Sequence, residues 1–181
     1  MKTRRLWHGI ATASAFAMAL CCAAQTEQPL ASSSSASTEI GVPIAGFSET
    51  MVTYAREVLV RINQIRSEEK LKPVRLNWKL AEASLWHAKD MASKGYFDHK
   101  DSLGRTSKDR IEALGIKDWK VIAQNIAGGA ADPATVVKMW MDSPGHRKNI
   151  LRPDVTEMGI GYYFDPDSKY LKYWVQDFLG R

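Results

Sequence analysis

The residues best suited to chemistry in this chain are two histidines, each next to a break in a helical pattern. His99 follows a predicted helix end, in the sequence YFDHK, and His146 lies in the sequence SPGHR. Loops at the ends of helices often carry binding or catalytic groups on a rigid scaffold. If the fold brings these two loops together, two imidazoles face one cleft, where they could bind a metal or exchange a proton. A further histidine, His87, falls on the apolar face of a helix and is expected to be a hydrogen-bonded core residue.

The sequence lacks the familiar catalytic signatures. It contains no H-E-x-x-H, no G-x-S-x-G, no Walker loop and no G-x-G-x-x-G. The remaining catalytic hypothesis is a hydrolase or protease with Ser143 as nucleophile and His146 or His99 as base. No carboxylate is clearly placed to orient that base, and Ser143 has an alternative role in capping the Pro144-Gly145 turn. The sequence therefore favours a protein that is not an enzyme.

The elements that would position these residues follow from the hydrophobic pattern and the capping residues. Four helices are predicted, at 48–69, 77–94, 106–115 and from 133 to a stop at Pro144-Gly145. Strands are predicted at 121–126, 158–164 and 170–178, and Asp165-Pro166-Asp167-Ser168 forms the turn between the last two. Helices and an antiparallel hairpin in one small chain indicate an α+β fold in which the helices cover the sheet.

Residues 1–24 are predicted to be a signal peptide. They contain Lys2, Arg4 and Arg5, then an apolar stretch too short to span a bilayer, then small residues before Gln25. Cleavage after Ala24 would leave a mature protein with no transmembrane span, in the periplasm or outside the cell. Two alternatives stay open, which are export by the twin-arginine route and lipid attachment at Cys21 or Cys22.

Removing this leader changes what the composition implies. The whole chain of 181 residues carries a formal charge of +5, from 25 basic and 20 acidic residues. Without the three basic residues of the leader no dense basic stripe remains, which argues against nucleic-acid binding. Both cysteines lie in the leader, so the mature protein has no disulfide. Residues 25–46 are Ser-rich and predict a flexible linker, and residues 47–181 predict one domain.

Five stretches of the ordered region resemble one known family. They are GYFDHKDSLGR (95–105), IAQNIAGG (122–129), VVKMWMDSPGHRKNIL (136–151), EMGIGYYF (157–164) and YWVQDF (173–178). In this order they resemble the CAP superfamily of cysteine-rich secretory, antigen 5 and pathogenesis-related 1 proteins, also called SCP domains. The likeness is greater to its disulfide-free bacterial branch. It implies a three-layer α-β-α sandwich with a central antiparallel sheet and a cleft.

In many members of this family two histidines and two glutamates line the cleft and can hold a divalent ion. The resemblance matches the histidines to His99 and His146, the first glutamate to Gln124 and the second to a position near Ser143. A glutamine carries no charge, so two imidazoles with Gln124 and Ser143 form a weak cage for Zn²⁺. We therefore expect no required cofactor and at most a weakly bound divalent metal such as zinc at His99 and His146.

The competing hypothesis is a binding or interaction module of the cell envelope. Its partner outside the cytoplasm would be a hydrophobic ligand, a glycan or another exported protein. The cleft would consist of His99, Gln124, Ser143 and His146. Three supporting residues are expected: Asn125 and Arg147 would hold the cleft loops by hydrogen bonds, and Trp140 would anchor the neighbouring helix. The predicted function is thus a secreted bacterial CAP domain that binds rather than catalyses, with a hydrolase or a lipid-anchored form as the alternative.

Overall fold

The computed structural model describes residues 46–181 of the chain. The predicted signal peptide, and all but the last residue of the predicted linker, lie outside the described residues. The described part forms five helices and four strands: α1 Glu49–Glu68, β1 Arg75–Leu76, α2 Trp78–Lys94, α3 Ser107–Ala113, β2 Val121–Gly128, α4 Pro133–Asp142, α5 Pro144–Ile150, β3 Glu157–Phe164 and β4 Lys172–Gly180.

The helices begin where the capping residues predict. The Ser48 hydroxyl accepts a hydrogen bond from the Met51 N–H at 3.2 Å, and the Asn77 side chain accepts one from the Leu80 N–H at 3.1 Å. Each cap satisfies an N–H group that has no partner within its own helix. Gly95 ends α2 with φ = 69°, a left-handed conformation that favours glycine. The first three predicted helices, which begin after Ser48, Asn77 and Thr106, are confirmed.

The four strands form one sheet in the order β1-β3-β4-β2. The pairs β3–β4 and β4–β2 are antiparallel, as predicted, whereas the two-residue strand β1 runs parallel to β3. Two residues show no periodicity, so the sequence analysis missed β1. The last strand begins at Lys172 and not at Tyr170, because Leu171 has φ = 61° and breaks the extended backbone.

Helices cover both faces of this sheet, and the α-β-α sandwich is confirmed. On one face α2 packs directly on two glycines of β3, since a Cβ added to Gly159 would lie 2.3 Å from the Ala81 nitrogen. On the other face α1 and α4 pack against a core that contains Val58, Trp140 and Trp174. None of the helices within residues 46–181 is both long and apolar enough to cross a membrane.

The helix predicted from residue 133 does stop before Pro144-Gly145, but the sequence analysis missed the second helix that follows. Helix α4 ends at Asp142, and Pro144 begins α5 instead of ending α4. Proline fits the first position of a helix because its missing N–H would have no partner there. Ser143 joins the two helices, and its side chain makes no capping hydrogen bond. His146 therefore lies in the first turn of α5 and not in a loop.

Candidate ligand-binding cleft

The predicted site residues converge on the outer edge of β2, which is an edge strand of the sheet. Side chains alternate between the two faces along a strand. Gln124 therefore points toward α2 and α3, while Asn125 points toward α5 and contacts the His146 carbonyl. The loop that carries His99 approaches this edge from one helical layer, and α5 approaches it from the other.

A chain of hydrogen bonds connects His99 to a buried carboxylate. His99 Nδ1 lies 2.9 Å from Gln124 Oε1, and Gln124 Nε2 donates to Asp177 Oδ1 at 2.9 Å. Asp177 is only 1% exposed, and Ser84 and Ser107 also place their hydroxyls against its carboxyl group. Burial raises the pKa of Asp177 above its usual value, although these hydrogen bonds work in the opposite direction.

Asp177 sets the orientation of the Gln124 amide, and the amide in turn determines which ring nitrogen of His99 carries the hydrogen. Because the NH₂ group of Gln124 faces Asp177, its carbonyl oxygen faces the imidazole. His99 Nδ1 must then carry the hydrogen of this contact. In the neutral ring the lone pair is left on Nε2, which is the nitrogen free to meet a ligand.

The backbone around His99 is held by two buried residues. His87 Nε2 lies 2.9 Å from the Asp98 carbonyl, and Arg110 donates to the His99 carbonyl at 3.1 Å. His87 is fully buried, as the sequence predicts, and burial followed by the charge of Arg110 lowers its pKa to about 4. A neutral His87 therefore donates from Nε2 to Asp98 at neutral pH.

Helix α5 is fixed to the other side of the cleft through Asn125. Its amide donates to the His146 carbonyl at 3.2 Å and to Gln176 Oε1 at 3.0 Å. Asn149 completes the connection by donating to Asn125 Oδ1 at 2.9 Å and to the Gln124 carbonyl at 3.2 Å. Burial, and secondarily the charge of His99, lower the pKa of His146. Gln124 and Asn125 are neighbours in β2, so the contact of His99 with Gln124 and that of the His146 carbonyl with Asn125 place both histidines at the same strand edge.

The remaining predicted residues lie around this centre. Trp140 is fully buried in α4, and Arg147 pairs with Glu69 at 3.1 Å, which ties α5 to the end of α1. Ser143 is half-buried, and among residues 46–181 its hydroxyl forms no hydrogen bond to either His99 or His146.

The sequence analysis did not name Asp177 or Asn149. A charged residue at an inward position of the sequence YWVQDF was the available signal for Asp177.

The donor set of the cleft does not fit a tightly bound zinc ion. Both polar atoms of the Gln124 amide already have partners, so the strong neutral donors left are the two imidazoles. Within residues 46–181 no three His, Cys, Asp or Glu side chains are grouped to hold a metal. Zinc in proteins takes three or four such ligands.

A groove with a volume of about 660 Å³ opens beside His99. The N-terminal half of β2 forms its floor with Val121, Ile122 and Ala123, next to Trp119. Four basic side chains line it, and the only acidic one is Asp98; the basic residues are Lys100, Lys108, Lys120 and Arg152. His99 and Gln124 line the groove as well, whereas His146 does not. The cleft thus continues into an apolar-floored groove with a basic rim.

Comparison with known proteins agrees with this architecture. The model of the cysteine-rich secretory protein family, CAP, matches residues 59–178. This chain belongs to that family.

Two relatives come from Bacillus subtilis. The chain is 33% identical over 158 residues to the uncharacterized protein YkwD of Bacillus subtilis and 31% identical over 135 residues to the uncharacterized membrane protein YlbC of that organism. These alignments cover 87% and 75% of this chain but only 59% and 37% of the relatives' length. An extracellular protein of Bacillus anthracis that contains an SCP domain has a similar structure, with a TM-score of 0.67 and 26% identity over 78% of this chain and 45% of that one.

The contact with Asp177 gives a physical reason for glutamine where the family commonly has glutamate. In Gln124→Glu an acceptor oxygen would replace the NH₂ group that Asp177 needs, so two carboxylates would adjoin unless one keeps a proton. We expect this variant to lose about 2 kcal/mol of unfolding free energy at pH 7, and less at pH 5, in urea denaturation. The control Gln64→Glu adds the same charge at an exposed position of α1 and is expected to change stability by less than about 0.5 kcal/mol. Equal effects of the two substitutions would contradict the assigned contact.

Proposed function

We propose that this CAP protein is a non-enzymatic binding module of the bacterial envelope, and that the cleft over the edge of β2 holds an organic ligand. The observation that carries the proposal is the groove of about 660 Å³ beside His99, which is larger than an ion needs. Its size falls within the range of pockets that bind small organic molecules.

The polar contacts of the cleft favour binding over catalysis. Nucleophilic catalysis requires a base within hydrogen-bond reach of the nucleophile and a third group that orients the base. Ser143 has no hydrogen bond to a cleft histidine. The carboxylate nearest to His99 in the hydrogen-bond chain acts through the neutral Gln124. This arrangement holds an imidazole in place but supplies no charge relay to a reacting hydroxyl.

Export of the chain is part of the same proposal. It is supported by the predicted signal peptide at residues 1–24 and by the similarity to a Bacillus anthracis protein described as extracellular. The proposal covers a periplasmic or an extracellular location. Lipid attachment at Cys21 or Cys22 would retain the protein at the membrane and keep the same cleft.

Native mass spectrometry of the chain recovered from an exported preparation tests this function. We expect an organic mass that leaves on denaturation and is reduced in His99→Ala. The control is Lys148→Ala, an exposed residue of α5 outside the groove lining, which is expected to retain the ligand. A bound metal ion that is lost in His146→Ala would contradict the proposal. Hydrolysis of peptide or ester substrates that is abolished by Ser143→Ala would replace it with the hydrolase.

A further inference from the structure

We infer that the ligand of this groove is an acidic saccharide, a chain of sugars that carry carboxylate groups. The inference rests on the proposed binding function and specifies its ligand. It follows from the charge of the rim, the shape of the floor and the exposed edge of β2.

The rim carries uncompensated positive charge from three separate segments of the chain. Lys100 follows His99, Lys108 is in α3 and Lys120 precedes β2, and all three are exposed. None of them forms an ion pair within residues 46–181. Several like charges around one groove raise the local potential and attract a ligand of opposite sign.

The other charged residues of the groove do not cancel this potential. The exposed Asp98 carboxylate, which accepts the Lys100 N–H at 2.7 Å, offsets only one of the three lysine charges. Arg152 is paired with Asp154 at 2.9 Å, so it contributes little to the excess charge. The same excess of positive charge disfavours a divalent cation beside His99. The groove is thus matched to a ligand with more than one negative charge.

The floor of the groove favours a sugar chain among the possible anions. Val121, Ile122 and Ala123 are half-exposed, and Trp119 adjoins them with its indole N–H donated to Glu112 at 3.2 Å. Pyranose rings present C–H faces to such a floor. Because β2 is an edge strand, alternate backbone N–H and C=O groups also point outward and can bind hydroxyl groups.

Two other classes of anion fit this groove less well. A fatty acyl chain gains its binding energy from complete removal from water, and this groove is too open to enclose one. Single-stranded nucleic acid is bound on rows of aromatic side chains, and Trp119 is the only Phe, Tyr or Trp residue that lines the groove.

The test is a calorimetric titration of the exported chain with the trimer of galacturonic acid and, in parallel, with the neutral trimer maltotriose. We expect the acidic trimer to bind at least about 10-fold more tightly, and 0.5 M salt to remove most of this difference. The double variant Lys108→Gln/Lys120→Gln is expected to weaken binding of the acidic trimer about 10-fold or more. Lys117→Gln is the matched control, because Lys117 is exposed in the same segment but does not line the groove.

The outcomes separate this inference from the proposed function. If the protein binds the two trimers equally well, or if the double lysine variant binds the acidic trimer as tightly as the parent does, the ligand is not acidic. The proposed binding function would then still stand. Tighter binding of pyrophosphate or of single-stranded oligonucleotides than of galacturonate would overturn the saccharide. If neither trimer binds while native mass spectrometry finds another organic mass, only the inference fails. If neither trimer binds and the exported chain carries no organic mass, both fail.

Discussion

Gly161→Ala is expected to lower the unfolding free energy by at least ~3 kcal/mol and to be among the most damaging methyl additions in this protein. A Cβ at this position would lie 2.2 Å from the Ser84 carbonyl carbon and 2.3 Å from the Leu85 nitrogen. Both atoms belong to the backbone of α2, so no change of rotamer relieves the clash. The helix itself must move away from β3, and that movement exposes apolar surface on one whole face of the sheet. Urea denaturation followed by circular dichroism measures the loss.

The control for this prediction is Gly145→Ala in α5. An added Cβ there has no heavy atom within 4 Å. Alanine also loses less conformational entropy than glycine when a helix forms, so this variant is expected to be as stable as the parent or more stable by up to about 1 kcal/mol. If Gly161→Ala were as mild as Gly145→Ala, the direct contact between α2 and β3 would be wrong.

This contact shows why some elements could be predicted from sequence. Helix ends are encoded locally, because Ser48 and Asn77 satisfy N–H groups only three residues away. The strand around Gly161 was also predicted, from an apolar stretch that ends at the turn Asp165-Pro166-Asp167-Ser168. The reason for its glycines was not visible, since it depends on a helix that lies some seventy-five residues earlier in the chain. The two-residue strand β1 and the helix α5 that begins at Pro144 were missed because their local patterns are short or ambiguous.

The candidate site likewise contains residues that could be predicted from the sequence and residues that could not. The resemblance to the family pointed to His99, Gln124 and His146, and the structure brings these residues together. Asp177 and its effect on Gln124 depend on the register of two strands. The antiparallel pairing places Gln124 directly opposite Asp177 and Asn125 opposite Gln176. A shift of one residue would separate both pairs, and the pattern of hydrophobic residues does not reveal which two strands pair.

These two cross-strand pairs explain how one strand edge serves both helical layers. On the α2 face the pair of Gln124 and Asp177 orients His99, and on the opposite face Asn125 and Gln176 support the backbone of α5. Buried polar groups are costly unless each is hydrogen-bonded, and here every member of both pairs has a partner. The cleft is therefore preorganised by the sheet, and its imidazoles come from the loop that carries His99 and from α5.

Asp177→Ala is expected to lower the unfolding free energy by about 3 kcal/mol and to release His99 from its single tautomer. The substitution removes the acceptor of Gln124 Nε2 and of the Ser107 hydroxyl, whereas the Ser84 hydroxyl keeps the Leu80 carbonyl. A buried donor without a partner costs about 1–3 kcal/mol, and the lost side chain leaves a cavity. The Gln124 amide can then turn, and the hydrogen on His99 Nδ1 loses its fixed acceptor. Nitrogen-15 NMR of the imidazole measures this as a growing population with the hydrogen on Nε2.

Asp177→Asn separates the hydrogen bond of residue 177 from its charge. Its side-chain oxygen can still accept from Gln124, so this variant is expected to keep the His99 tautomer that Asp177→Ala loses.

Burial raises the pKa of Asp177 above its usual value near 3.8, so the folded state binds its proton more strongly than the unfolded state does. The stability that this adds is fully present below pH 3.8 and is lost as the pH rises through the higher pKa of the folded protein. The parent should therefore lose stability relative to Asp177→Asn as the pH rises over that interval. Titration of His87 cancels in the difference, because both proteins contain it. If the difference in unfolding free energy between the parent and Asp177→Asn does not change with pH, the carboxyl group of Asp177 is not desolvated behind the cleft. If Asp177→Ala keeps the His99 tautomer, another group orients Gln124.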